Sequence, residues 1–241
     1  MKDRIALACK QLKLGQTIPE IYERIQAETH QEYLAEVLER EVSHRETVRR
    51  SRLLKQAGFH RIKTFADYDF SEVKIPAELG LDDLKACSFL ADNRNLIFYG
   101  NVGTGKTHLA TAIGVEACRQ GKAVRFYRTA ALVNQLNEAK KRGELGKFLR
   151  PFSKLDLLIC DEWGYVPLDR EGSQLLFQVV SDCYEQRSVI LTTNLEFSKW
   201  VNIFYDEQMT AAMIDRLVHH SHLLLFDGQS HRIRNSLMRT S

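Results

Sequence analysis

Paired cysteines are absent. The 241-residue chain has five cysteines, Cys9, Cys87, Cys118, Cys160 and Cys183, widely scattered, with no C-x-x-C pair and no nearby histidine at metal spacing. That pattern argues against a disulfide framework and against a cysteine-based zinc site, and leaves reduced, buried thiols. A long apolar run is also absent: Leu155 to Cys160 is already interrupted by Asp156, far short of the roughly 18 to 20 residues that cross a bilayer. The start, Met1-Lys2-Asp3-Arg4, carries charge, but Lys10 and Lys13 interrupt the apolar positions behind it. No leader peptide is read there, no membrane partner is expected, and the expected location is cytoplasmic. Internal repeats and low-complexity segments are missing too. Finally, Thr47 to Ala66 holds no acidic residue but carries Arg49, Arg50, Arg52, Lys55, Arg61 and Lys63, in a chain otherwise balanced at 34 basic against 31 acidic residues.

What is present is ordinary globular composition, with 44% hydrophobic and 27% charged residues, and enough length for one large domain with an appendage. Helical spacing recurs in Ile5, Ala8, Cys9 and Leu12, in Ile18, Ile21, Tyr22 and Ile25, and in Leu34, Val37, Leu38 and Val42. Thr17-Ile-Pro-Glu20 and Thr29-His-Gln-Glu32 each place a hydroxyl at an N-cap and a carboxylate three residues on, the pattern of a capping box. Residues 1–62 therefore read as a small helical N-terminal domain, whose basic end makes it a candidate for oligomerisation or DNA binding, and 63–241 as a second, larger domain.

From Phe65 short apolar strands alternate with amphipathic helices, which predicts a parallel sheet covered on both faces. The predicted strands are Asn95 to Tyr99, Ala123 to Tyr127, Leu155 to Cys160, Ser188 to Thr192 and His222 to Phe226. Lys106 to Arg119, Ala130 to Arg142, Gly172 to Glu185 and Thr210 to His219 fill the gaps as helices. Phe65-Ala-Asp-Tyr-Asp-Phe70 fits either core packing or a place beside a nucleotide base.

The strongest motif is Gly100-Asn101-Val102-Gly103-Thr104-Gly105-Lys106-Thr107, a G-x-x-x-x-G-K-[ST] match after a predicted strand and before a predicted helix, followed by His108. Glycines let successive amides turn around phosphate oxygens, the helix N-terminus favours negative charge, Lys106 reaches the β- and γ-phosphates, and Thr107 ligates magnesium. Asp161-Glu162 ends the strand that begins at Leu155. Alone the pair fits a solvated turn; behind a phosphate-binding loop it reads as Asp161 for the magnesium and Glu162 as base for the attacking water. Thr192-Thr-Asn194 ends the next strand, where Asn194 either positions that water or merely closes the strand. Arg216 lies on a helix among apolar neighbours, as an arginine finger toward a neighbouring subunit or a surface cation.

In order, these elements resemble Walker A, Walker B, sensor 1 and the arginine finger of AAA+ ATPases. The phrases Asn95 to Ala110, Leu158-Ile-Cys-Asp-Glu-Trp-Gly-Tyr165, Thr192-Thr-Asn-Leu195, Asp215-Arg-Leu217 and Gly228-Gln-Ser-His-Arg232 are similar to the IstB family, transposition helper ATPases of insertion sequences related to DnaC-type helicase loaders. The resemblance covers essentially the whole chain. It implies a P-loop α/β three-layer sandwich with a parallel sheet and no C-terminal lid, preceded by a small helical domain. It also implies binding of ATP and Mg2+, ATP hydrolysis, homo-oligomeric assembly on duplex DNA, and recruitment of the element's transposase. The alternative it leaves is a replicative helicase loader. Arg232 and Arg234 are candidate nucleotide contacts. The family's extra helical element falls between Thr129 and Lys154, where Lys140, Lys141 and Arg142 join Arg49, Arg50, Arg52 and Lys55 as candidate phosphate contacts to DNA, against a solvated face as the alternative.

Overall fold

The computed structural model describes residues 1–15, 17–204 and 206–231; Arg232 and Arg234 lie outside the described residues. The chain divides into two compact units, Met1–Arg52 and Leu53–Ser241. The division falls before residue 62 because Leu53, Leu54, Ala57 and Phe59 pack into the hydrophobic cluster of the second unit. The Phe126 amide also donates to the Ala57 carbonyl at 2.7 Å.

The first unit contains α1 (Lys2–Gln11), α2 (Ile18–Ile21) and most of α3 (His30–Gln56). Its core is small: Cys9, Ile18, Ile25 and Val37. The capping box before α3 forms as predicted, with the Glu32 amide donating to Thr29 Oγ1 (3.2 Å) and the Thr29 amide to Glu32 Oε2 (3.1 Å). The box expected at Thr17 does not form. Thr17 is itself helical (φ −75°, ψ −29°), its carbonyl accepts from Glu20, and its buried hydroxyl has no partner among the described residues.

The second unit is built on six strands: β1 (Val73–Lys74), β2 (Asn95–Gly100), β3 (Val124–Arg128), β4 (Leu157–Trp163), β5 (Ser188–Thr193) and β6 (Ser221–Phe226). Their order is β1-β6-β2-β5-β4-β3, parallel except for the two-residue β1 against β6. Five of the six were legible as apolar runs; β1 is too short to carry a pattern. One face is covered by α4 (Leu81–Ala86) and α5 (Lys106–Arg119), with Leu109, Ile113 and Cys118 fully buried against Phe98 and Ile159. The other is covered by α6 (Thr129–Lys141), α8 (Arg170–Cys183), α9 (Val201–Phe204) and α10 (Glu207–Val218), with α7 (Leu145–Leu149) beside α6. Asp169 and Asp206 fix the starts of α8 and α10 by accepting from the amides of Gly172 (2.8 Å) and Met209 (2.7 Å). Because β2, β4 and β5 are adjacent and parallel, the loop after β2 and the ends of β4 and β5 meet at one edge, where open α/β sheets place ligands.

Candidate active site

β2 ends at Gly100, and the chain turns through 101–105 into α5. Gly103 (φ +82°) and Gly105 (φ +93°) are left-handed, and a Cβ on Gly103 would lie 2.2 Å from Ser230 Oγ. A side chain at either position would cost strain, so the turn requires glycine. It opens onto the N-terminus of α5, whose unpaired amides and dipole favour an anion. Lys106 is buried at the start of α5, and its Nζ donates to the carbonyls of Gly100 (2.7 Å) and Asn101 (2.6 Å). The loop's own carbonyls therefore hold the ammonium inside the cradle.

Asp161 is the centre of a hydroxyl cluster. Thr107 Oγ1 donates to its Oδ1 at 2.8 Å, Thr192 Oγ1 donates to the same oxygen at 2.6 Å, and Thr129 Oγ1 donates to its main-chain carbonyl at 2.9 Å. The carboxylate is 2% exposed and forms no ion pair among the described residues. A buried carboxylate is costly unless hydrogen bonds or a cation satisfy it. Thr107 and Asp161 together offer hard oxygen donors at one point, so the residues present fit a magnesium ion.

Glu162 follows in an unusual backbone. Its φ is +58°, and the β4–β5 register shifts between Cys160 and Trp163. The bulge re-aims consecutive side chains: Asp161 points to Thr107, while Glu162 Oε2 lies 3.5 Å from Arg128 Nε. The Glu162 amide donates to Thr192 Oγ1 at 3.0 Å. One threonine hydroxyl thus ties both acidic residues. Behind them Trp163 is fully buried against Trp200 and Phe204.

Lys106, Thr107, His108, Asp161 and Glu162 line one cavity of about 640 Å³, together with Gly103, Gly105 and Val102. Thr192 lines it too, whereas Asn194 does not: β5 ends at Thr193, and Asn194 is exposed beyond it. β5 is buried along its whole length, so Thr192 is held inside the site while Asn194 falls just past the strand's end. Arg61 and Lys63 of the acid-free stretch also line this cavity, as does Arg128 from the end of β3. His231 lines it through a tail contact, its amide donating to the Gly103 carbonyl at 3.0 Å and its Nε2 lying 3.3 Å from Glu72 Oε2. No sequence motif marked Arg128 or Thr129 as a site residue, whereas His231 belongs to the Gly228 to Arg232 phrase.

The segment from Phe65 to Phe70 is chiefly core, since Phe65, Tyr68 and Phe70 pack against the cluster beneath α5. Tyr68 also crosses edge-on to His108 (5.1 Å), whose Nε2 is 3.2 Å from the Thr64 carbonyl. Burial pushes the His108 imidazole below its ordinary pKa, with the Thr64 carbonyl opposing in part.

Arg216 is engaged within its own chain. Its Nη1 donates to Ser181 Oγ (2.8 Å) and its guanidinium sits 4.6 Å over the Phe177 ring, so it does not line the cavity. Of the candidate DNA contacts, Lys140 pairs with Glu171 (2.7 Å), Arg142 with Glu138 (3.5 Å) and Arg50 with Glu46 (3.3 Å). Arg49 borders a groove within the first unit. Arg52, Lys55 and Lys141 are exposed, with no ion pair among the described residues.

The family model of IstB-like ATP binding proteins matches residues 9–239. A protein of Geobacillus stearothermophilus, described as an ATP-binding protein of insertion sequence IS5376, is 37% identical over 99% of this chain and 97% of its own length. Among solved structures, DnaI superimposes with a TM-score of 0.55 at 17% identity, covering 75% of this chain and 93% of that one. AMPPCP-bound DnaA from Aquifex aeolicus gives 0.52 at 22% identity and 66% coverage; this chain spans half the length of that structure. These likenesses show the fold, the mostly parallel α/β sandwich of P-loop AAA+ proteins. With a family model matching nearly end to end and a full-length relative above a third identical, the chain belongs to the family of IstB-like ATP binding proteins.

Proposed function

We propose that the protein is an ATP-hydrolysing transposition helper that assembles on duplex DNA and recruits or stimulates the transposase of its insertion sequence. The observation that carries the catalytic half is the convergence of Lys106, Thr107, Asp161 and Glu162 on one cavity, with Asp161 buried beneath three threonine hydroxyls. In this reading the 100–108 loop binds the phosphates, and Lys106 exchanges its loop carbonyls for phosphate oxygens. Thr107 and Asp161 hold magnesium, which when bound neutralises charge on the phosphates. Glu162 takes the proton of the attacking water, and Thr192 rather than Asn194 holds both acidic groups in place. Arg216 serves a neighbouring subunit only after leaving Ser181 and Phe177. The insertion-sequence relatives support the transposition half, with the Arg49 to Lys55 and Lys140 to Arg142 cations as DNA phosphate contacts and residues 1–62 as the assembly region.

The test is ATP turnover and ATP-dependent binding to duplex and single-stranded DNA of equal length. Lys106→Ala is expected to lose nucleotide binding, and Glu162→Gln to keep nucleotide while losing turnover by about 100-fold or more. Wild-type turnover in Glu162→Gln would remove the base assignment. A single-strand preference, or DNA binding only through another protein, would move the function to helicase loading.

A further inference from the structure

We propose that Glu185, His219 and His220 form a binding site for a zinc-class divalent metal ion, at the sheet edge opposite the nucleotide cavity. Glu185 lies between α8 and β5, and the two histidines lie between α10 and β6. All three therefore sit where strands begin, whereas the cavity lies where strands end. One donor atom from each residue falls within 4.8 Å of the other two, and His220 Nε2 is 3.0 Å from Glu185 Oε1. A four-coordinate ion with bonds of about 2.0–2.1 Å holds its ligand atoms about 3.3–3.4 Å apart, so small rotations of these solvent-facing side chains close the set. Two imidazoles and one carboxylate suit zinc, cobalt or nickel, and suit magnesium poorly.

The backbone beneath the three side chains is already fixed. Asn95 is buried, and it ties three strand starts together: its amide donates to the His220 carbonyl (2.7 Å), its Nδ2 to the Leu217 carbonyl (3.3 Å), and its Oδ1 accepts from the Val189 amide (2.8 Å). Asn93 Nδ2 donates to the Glu185 carbonyl at 3.1 Å, holding a residue whose φ of +55° is left-handed. The Tyr184 hydroxyl lies 3.2 Å from His219 Nδ1, which restrains that ring. A donor set on a pre-positioned frame loses little entropy on binding an ion. Bound there, the ion would clamp the α8–β5 loop to the α10–β6 loop. It would use none of the nucleotide-site residues.

The test is equilibrium dialysis of the untagged full-length chain against Zn2+ in excess Mg2+, with Co2+ as spectroscopic probe. The expected result is one zinc per chain, a zinc-dependent rise in thermal midpoint, and cobalt ligand-field bands without a thiolate charge-transfer band. Affinity is expected to fall by about tenfold or more in Glu185→Gln and to vanish in His219→Asn/His220→Asn. Glu185→Gln, a change on an exposed side chain, supplies the comparison alone if the double variant does not fold. No saturable binding, a thiolate band, or binding unchanged in these variants would overturn the proposal.

Discussion

Thr192, the first residue of the Thr192-Thr-Asn194 triplet, ties the two acidic residues of the site together. Its hydroxyl donates to Asp161 Oδ1 and accepts from the Glu162 amide, so Thr192→Val removes both bonds while keeping the shape. A buried carboxylate oxygen and an amide then lose a partner, which costs about 1–3 kcal/mol. The expected outcome is a lower urea midpoint with an unchanged m-value, and a fall in turnover larger than the fall in nucleotide affinity. A variant with wild-type turnover would show that the hydroxyl positions nothing.

Thiol chemistry gives a second prediction at this scale. Burial raises Cys118 and Cys183 from 9.0 to about 11 and Cys87 to about 12, and raises Cys160 as well. A thiolate is the reactive form, so these four are expected to resist Ellman's reagent at pH 8 until the chain unfolds. The unfolded thiols lose their protons near pH 9 while the folded ones keep theirs. This contribution to stability is therefore complete below pH 9 and declines between pH 9 and about 12. Thermal midpoints across that range, compared with a Cys118→Ala variant, check the sign.

The β4 bulge is where an element decides the chemistry. Asp161 and Glu162 were legible as an acidic pair at a strand end, but the left-handed Glu162 and the register shift were not, because no pattern of residue types encodes a bulge held by tertiary contacts. Trp163 is the anchor: it fills the core between Trp200 and Phe204 directly after Glu162. Trp163→Ala is expected to cost about 3–5 kcal/mol and to disturb Glu162 more than Lys106, lowering turnover while leaving nucleotide binding closer to wild type. Denaturant melts and nucleotide titration on the same variant check both halves. Periodicity fails in the same way at the ends of other elements. α5 is legible to the residue because a glycine turn precedes it and a glycine follows it, whereas Asn194 falls one residue past the end of β5, a fully buried strand with no alternation to mark where it stops. Arg61 and Lys63 read as part of one basic run with Arg49, yet they line the nucleotide cavity, a placement that depends on long-range packing within the second unit and not on spacing.

Across the whole molecule, charge is the property by which DNA would sense this protein, and its distribution differs from the sequence run. Lys140, Arg142 and Arg50 are matched by Glu171, Glu138 and Glu46, so binding a phosphate means giving up an existing partner. Arg52, Lys55 and Lys141 face solvent without that competition among the described residues. Each cation that neutralises a duplex phosphate adds about 0.9 to the slope of log affinity against log salt. If the proposed DNA contacts are right, Arg52→Ala/Lys55→Ala/Lys141→Ala should flatten that slope by about 2.7 without altering ATP affinity. Lys140→Ala/Arg142→Ala should change it less, because releasing the paired glutamates offsets the loss. The measurement is fluorescence anisotropy on random duplex DNA between low and moderate salt with the Glu162→Gln protein and ATP. An unchanged slope in the triple variant would move the DNA to a different face. An equal loss in both variants would mean that the glutamate pairs open at no cost on binding.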